Sequence, residues 1–599
     1  MKNPWRVAIV CYAAALGATA WAQNRTFTSQ YSFGDSLSDN GNLFTLTRQP
    51  PPPYVNGRFS NGPTFAELLG QPMVPAAGLS SVGANRNYAY GGATAGVGSP
   101  VPNLAQQIAS YRLSGLPARS TDLFTVLAGA SDLSTALVAP TTPANPATLD
   151  AAGASAAQAV ATSVQTLVGL GAKNIVVGGL PNLGATPRAL ATGGAGGAGA
   201  ALGLRATTAF NNELRARLGT ISASAPDVNV VYVDLQGVID QVIANHQRLG
   251  YSNATSYYLA PAAQGGGVGD PNTYVFFDDI HPTAKTHALV AEVVLEQLNP
   301  ERPLGFTATQ GTAALVLAGL ATSAIRMDAY ASFNYADGRR GRDGWRRGFD
   351  YDAHVVTAGV DVRASEGMFV GAAVQAGRME AKTSGGEFAL EDGAGRVYGV
   401  WRGGPVSLLL DGTYGTLRVK EIRRATALGG LETSGRTSGT RWGAGVKALW
   451  NIDIGSASVR PWLGLRTERV ELDGYTERDV AALSMDLAEQ EAESSSGAVG
   501  VDVALMSRLL HHSARLDFRA AWHGELGSQN RTVAGRLADN FTRPTLLEIE
   551  DGDGSGFEIG GAATLFFSQK WGATVGYTTD IRSGDRLAHR ATVSVQTGF

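Results

Sequence analysis

The chain has 599 residues, of which 17% are charged and 76 are glycine, with a net charge of −3. That length is too great for one core at roughly 100–200 residues per domain, so two or more units are expected. The near-neutral charge excludes the basic footprint of a nucleic-acid binder, and the glycines lack the Gly-X-Y period of collagen.

Lys2 and Arg6 precede a short apolar run over residues 7–18, and Ala20-Trp21-Ala22 forms a small-x-small cleavage site. This pattern predicts a secretory signal peptide over 1–22. The single cysteine, Cys11, falls inside it. The mature chain is then free of thiols, which excludes disulfides, thiol catalysis and Cys-ligated zinc.

From about residue 30 to 298, short apolar runs alternate with helical stretches. Strands are expected at 31–34, 87–91, 122–128, 174–179 and 228–235, and helices at 151–170, 206–218 and 283–298. Runs such as "NIVVGG" and "VNVVYVDL" are continuously apolar, as strands buried on both faces should be. The alternation predicts a parallel sheet between helices, with any site beyond the carboxyl ends of the strands. The glycine-rich run at 193–203 has no phosphate-loop Lys-Ser/Thr and is expected to be a mobile surface loop. "QPPPPYVNG" from Gln49 is expected to be stiff and extended near the site entrance.

After about residue 305, two-residue alternation takes over. Leu516, Phe518, Ala520 and Trp522 share one face of a strand, and Arg515, Asp517, Arg519 and His523 the other. About a dozen such segments are present, each near the ~9–11 residues that a tilted membrane strand needs. They predict a barrel with lipid outside and a polar lumen. The small-residue stretch 312–325 is expected to be a helix threading that lumen. "DGDGSG" from Asp551 opens like a calcium loop, but Ala562 stands where the bidentate glutamate belongs. The adjacent His511 and His512 should point to opposite faces of a strand, which excludes joint metal binding. This build resembles an autotransporter: signal peptide over 1–22, passenger over 23–305, linker helix over 306–326 and β-barrel over 327–599.

The candidate chemistry lies in the passenger. "YSFGDSLSDNGN" places Ser36 at a strand-to-turn junction, where a nucleophile can be exposed. The passenger has three histidines, His246, His281 and His287. His281, in "FFDDIHPT", has Asp278 three residues before it, close enough in a turn to take the Nδ1 proton and leave Nε2 for a serine. Asp279 is the alternative acid, and Asp39 and Asn42 are expected to shape the turn.

"FGDSLSDNGN", "NGRFSNGPTFAELL", "NYAYGGATAG" and "DDIHP" resemble blocks of the GDSL, or SGNH, hydrolases. The resemblance spans about residues 31–298. It implies a flavodoxin-like α/β passenger with Ser36 as nucleophile, His281 as base and Asp278 as its orienting acid. It also implies an oxyanion hole from the Ser36 N–H, a glycine (Gly92, or else Gly91) and a third-block side chain. There the family usually has asparagine, whereas "AGASDL" gives Ser131, a shorter donor.

The expected function is ester hydrolysis on the cell surface of a Gram-negative bacterium, with no metal or organic cofactor. The expected partners are a lipid or short- to medium-chain ester, outer-membrane lipid and the barrel-assembly machinery. One barrel per chain makes a monomer the default, and no nucleic acid is involved. An adhesin-like passenger with a vestigial triad is the alternative from another class. Acetylated sugars and phospholipids are alternative substrates.

Overall fold

The computed structural model describes residues 27–597 apart from 71, 78–84, 139–145, 265, 268, 322–328, 343–345, 510, 527–528, 539–543, 552–553 and 584–585. The expected signal peptide with Cys11, part of the expected linker helix, Asp553 of "DGDGSG" and the terminal Phe599 lie outside the described residues.

Strands β1 (Ser29–Gly34), β2 (Val74–Pro75), β3 (Arg86–Asn87), β4 (Asp122–Leu127), β5 (Asn174–Gly178) and β6 (Asn229–Val233) form one sheet in the order β2-β3-β1-β4-β5-β6. Every pairing in it is parallel. Period-two geometry sends successive side chains to opposite faces, so Phe124 and Val126 enter one core and Leu123 and Leu127 the other. Helices α2 (Leu104–Leu113), α4 (Pro146–Gly169) and α5 (Ala198–Ser224) cover the first face. Helices α6 (Leu235–Ala244) and α7 (Ala284–Leu298) cover the second. Two small helices lie over strand ends, α1 (Asn42–Thr47) and α3 (Ala130–Val138).

Three local expectations change. The segment 87–91 is regular strand only through Asn87, yet the Tyr88 and Tyr90 N–H groups still donate to the Ser32 and Gly34 carbonyls of β1 at 2.7 and 3.1 Å, while Asn42 Nδ2 donates to the Asn87 and Ala89 carbonyls, both at 2.8 Å. The glycine-rich run 193–203 is half helix, since α5 starts at Ala198. Gly203 there meets the backbone of Leu183 and Gly184, an approach that a Cβ would block. The proline-rich stretch closes a turn rather than running extended, with Tyr54 N–H donating to the Pro51 carbonyl at 3.2 Å.

The second unit is a closed antiparallel barrel of twelve strands. In chain order they are Ala329–Arg340, Phe349–Ser365, Met368–Thr383, Gly386–Gly403, Val406–Ala425, Glu432–Trp450, Ala457–Leu472, Gln490–Leu509, His512–Glu525, Gly556–Phe566, Trp571–Arg582 and Arg586–Thr597. Closure comes from the first strand pairing with the last, Ala329 opposite Thr597. Several strands, such as the 20-residue Val406–Ala425, exceed the expected length because they continue beyond a bilayer's thickness. The outward residues Val356, Val374, Val397, Tyr414, Phe518, Trp522, Val575 and Val593 are exposed large apolar groups, as a lipid-facing surface requires. Arg519, on the opposite face from Phe518, is bound to Asp502. His512 begins a strand and His511 sits in the turn before it at φ 66°.

Helix α8 (Glu301–Ala321) begins just after α7 and packs inside the barrel, with Thr309, Gln310 and Thr312 fully buried. Arg531 Nη2 crosses it to reach the Ala308 carbonyl at 2.5 Å and Thr312 Oγ1 at 2.9 Å. A side chain at Gly311 would collide with that guanidinium. A small sheet of Tyr475–Thr476, Met485–Leu487, Gln529–Leu537 and Thr545–Asp551 packs over Leu304 and Ala308 at the top of α8. Among the described residues no helix is long and apolar enough to cross a membrane; the barrel is the spanning element.

Candidate active site

β1 is flanked by β3 on one side and β4 on the other. This is the switch point of the sheet, where the chain opens a crevice at the strand ends. Gly34 closes β1 so near the Leu127 carbonyl that a Cβ would overlap it. The backbone then turns out of the sheet, leaving Asp35 buried and Ser36 half-buried at the crevice.

His281 reaches the same point from the loop between β8 (Tyr274–Phe276), which pairs with β7 (Asn253–Tyr257), and α7. Its Nε2 lies 2.8 Å from Ser36 Oγ, and its Nδ1 lies 2.7 Å from Asp278 Oδ2. Asp278 Oδ1 accepts from the Ile280 and His281 N–H groups at 2.9 and 2.6 Å. Burial alone would raise the Asp278 carboxyl, but the His281 bond and charge, Tyr54 and the Ile280 N–H outweigh it and lower it to about 2. Asp279 is turned away to Arg188, paired through both carboxylate oxygens at 2.8 Å. The arrangement is a continuous hydrogen-bonded chain from hydroxyl to imidazole to carboxylate, able to deprotonate the serine.

Two other histidines stand apart. His287 is buried in α7, where its Nδ1 accepts from Phe65 N–H at 3.2 Å and burial lowers it to about 3, so it stays neutral. His246 bonds to the Ile243 carbonyl.

The glycine loop after β3 is pinned at both ends by carboxylates, buried Asp39 and half-buried Asp132. Asp39 Oδ2 accepts from Gly91 N–H at 2.8 Å, while its Oδ1 takes Gly41 and Asn42 N–H at 2.8 and 2.7 Å. Asp132 in α3 accepts from Ala95 N–H at 2.7 Å and Gly96 N–H at 3.2 Å. Burial raises both carboxyls, opposed by these backbone donors. Between the pins, Gly92 adopts φ 78°, a left-handed conformation that favours glycine. Gly91 has its N–H engaged by Asp39, whereas the N–H groups of Ser36 and Gly92 make no hydrogen bond among the described residues. Gly91 must lack a side chain for another reason: a Cβ would overlap Phe59, whose ring lies 5.0 Å from that of His281.

Ser131 lies in the first turn of α3, half-buried, with its carbonyl accepting from Thr135 Oγ1 at 2.9 Å. Its hydroxyl has no hydrogen-bond partner among the described residues. Sequence reasoning missed Tyr54, Phe59, Asp132 and Arg188. Asp132 adjoins Ser131 in the same block and could have been found there. The others reach the site from distant segments.

Residues 31–294 match the GDSL-like Lipase/Acylhydrolase family, and residues 329–578 match the Autotransporter beta-domain. Lipase 1 of Photorhabdus luminescens is 25% identical, with 81% of this chain and 84% of that protein aligned. A GDSL esterase/lipase of Arabidopsis thaliana is 27% identical over 48% of this chain and 92% of its own length. Among solved structures, the translocator domain of autotransporter NalP from Neisseria meningitidis is similar at 17% identity, over 49% of this chain and 97% of that one, with a TM-score of 0.39. The site blocks and parallel sheet of the first unit and the twelve-stranded barrel of the second fit the two family matches: the chain joins a GDSL-like lipase/acylhydrolase domain to an autotransporter β-domain.

Proposed function

We propose that the protein is a serine esterase held at the cell surface by its own barrel, hydrolysing carboxylic esters through an acyl-enzyme. The observation that carries this reading is the chain Ser36–His281–Asp278, closed at 2.8 and 2.7 Å. Ser36 Oγ attacks the ester carbonyl while His281 Nε2 takes its proton, and Asp278 stabilises the imidazolium. The oxyanion is received by the Ser36 and Gly92 N–H groups and by Ser131. Collapse expels the alcohol, which takes the proton from His281. Water then attacks the acyl-enzyme by the same route, releasing the acid and restoring Ser36.

Surface display is supported by where the passenger sits. The first and last barrel strands meet at Ala329 and Thr597 at one end. The passenger docks at the opposite end, where Glu296 of α7 meets Arg424 at the tip of its strand. With the strand termini facing the periplasm, that end faces outward.

Hydrolysis of p-nitrophenyl esters by intact cells expressing the full chain, compared with Ser36→Ala, tests the reading. Substrate turnover should vanish in the variant. Equal turnover by both strains would leave a binding passenger as the better account. A series of esters of increasing acyl length would then assign the substrate class.

A further inference from the structure

Tyr54 belongs to the proline-rich segment, far in sequence from both ends of the proton chain. Its hydroxyl donates to Asp278 Oδ2 at 2.7 Å, the same oxygen that faces His281 Nδ1. With the two backbone bonds to Oδ1, the carboxylate accepts from four donors, as many as its lone-pair sites. The phenol ring is wedged edge-on against Phe277 at 5.4 Å and Phe59 at 6.1 Å between centroids. Phe59 in turn lies against the His281 ring. The hydroxyl is therefore locked on the acid by the same aromatic cluster that backs the base. Burial and the hydrogen bond to Asp278 raise the phenol, so it remains a protonated donor.

We propose that Tyr54 is a positioning residue of the proton chain, whose hydroxyl fixes the Asp278 carboxylate and shares the charge of the oxygen facing His281. This rests on the esterase reading above. A carboxylate relieved of that donor concentrates its charge on the imidazole and holds it as imidazolium, which cannot accept the Ser36 proton. The other charged groups around the pair do not take this place. Asp279 is engaged by Arg188. Asp35 and His287 act on His281 through space, without bonding to Asp278.

The test is Tyr54→Phe in the full chain, assayed with p-nitrophenyl butyrate across the pH range beside wild type and Ser36→Ala. Phenylalanine keeps the ring packing and removes one hydroxyl. The acid limb of kcat/KM should move to higher pH by about half a unit, lowering the rate on that limb by about threefold, with KM little changed. The thermal midpoint should stay within a few degrees of wild type. A Tyr54→Phe profile that superimposes on wild type overturns the proposal, whatever its thermal stability. Tyr54→Leu should show the same limb shift plus a lower midpoint; a lower midpoint without the shift would make Tyr54 a packing residue and also overturn it. If Ser36→Ala hydrolyses as fast as wild type, the esterase reading itself has failed, an outcome distinct from both.

Discussion

The Gly91 N–H donates to Asp39 Oδ2 at 2.8 Å, joining the turn that carries Ser36 to the glycine loop after β3. The same carboxylate collects the N–H groups of Gly41, Asn42 and Leu43. One buried side chain thus sets the spacing between the nucleophile and the proposed oxyanion donor at Gly92.

Asp39→Ala should therefore lower kcat more than it raises KM. The loop would lose its register while the Ser36–His281–Asp278 chain stayed intact. A misplaced oxyanion donor costs on the order of 10²–10³ in turnover. Steady-state kinetics on a soluble ester measures this. A variant that loses activity through KM alone would show that Asp39 shapes binding instead.

Ser131 poses a different question, because its free hydroxyl is shorter than the carboxamide usual in the family. Ser131→Ala should reduce kcat by about tenfold or more, and Ser131→Asn should retain or increase it. An unchanged rate in Ser131→Ala would remove this residue from the site and leave two backbone donors.

The parts of the site legible in the sequence were those made by local spacing. Asp278 and His281 meet across one turn, and Ser36 follows a buried strand, so motif and chemistry coincide. Tyr54 could not be read this way: its contact with Asp278 joins segments separated by 224 positions, and the prolines around it predict a stiff, extended stretch. The barrel was legible because lipid outside and a polar lumen impose a strict alternation. The small sheet above α8 was not, since Gln529–Leu537 and Thr545–Asp551 are short strands in a long excursion between barrel strands, and bury only the face that carries Val533, Leu537, Leu547 and Ile549. The helical start within the glycine-rich run escaped for a related reason. Gly203 is selected by the approach of Gly184 rather than by helix propensity.

Asp35 gives a pH-dependent stability. It is fully buried, with a long bond from Leu37 N–H at 3.2 Å and no well-formed bond at Oδ2, and burial raises it to about 7. Below about pH 4 the carboxyl is protonated in both folded and unfolded chains. Between about pH 4 and 7 the unfolded chain loses its proton while the folded one keeps it, so stability falls across that window. Asparagine does not titrate. Asp35→Asn should match wild type near pH 4 and gain stability progressively up to about pH 7, by on the order of a few kcal/mol. The far-UV helix signal, which comes mainly from the passenger, reads this on heating. An equal gain at pH 4 and pH 8 would assign the effect to packing.

The passenger is seated on the barrel through Arg424, buried at the barrel rim. Its guanidinium meets Glu296 of α7 at 2.6 Å and Glu477 of a barrel loop at 2.9 and 2.7 Å. Glu296 also accepts from Ala427 N–H at 2.6 Å, and neighbouring Gln297 donates to the Ala482 carbonyl at 3.0 Å. Around these bonds Leu428, Leu431, Val480 and Leu483 of the barrel loops share a core with Val238, Val290 and Leu298 of the passenger. Arg424→Met would leave buried Glu477 and half-buried Glu296 without the cation they both bond, with Arg302 and Arg347 acting on Glu296 only through space. Breaking a buried ion pair from one side destabilises by about 3–5 kcal/mol, whereas replacing all partners by apolar residues is often neutral. Arg424→Met should accordingly make the passenger sensitive to external protease, and the triple variant Arg424→Met, Glu296→Met, Glu477→Met should recover most of that resistance. Digestion of intact cells, followed by detection of the barrel fragment, measures both. Wild-type resistance in Arg424→Met would mean that the apolar contacts alone hold the passenger in place.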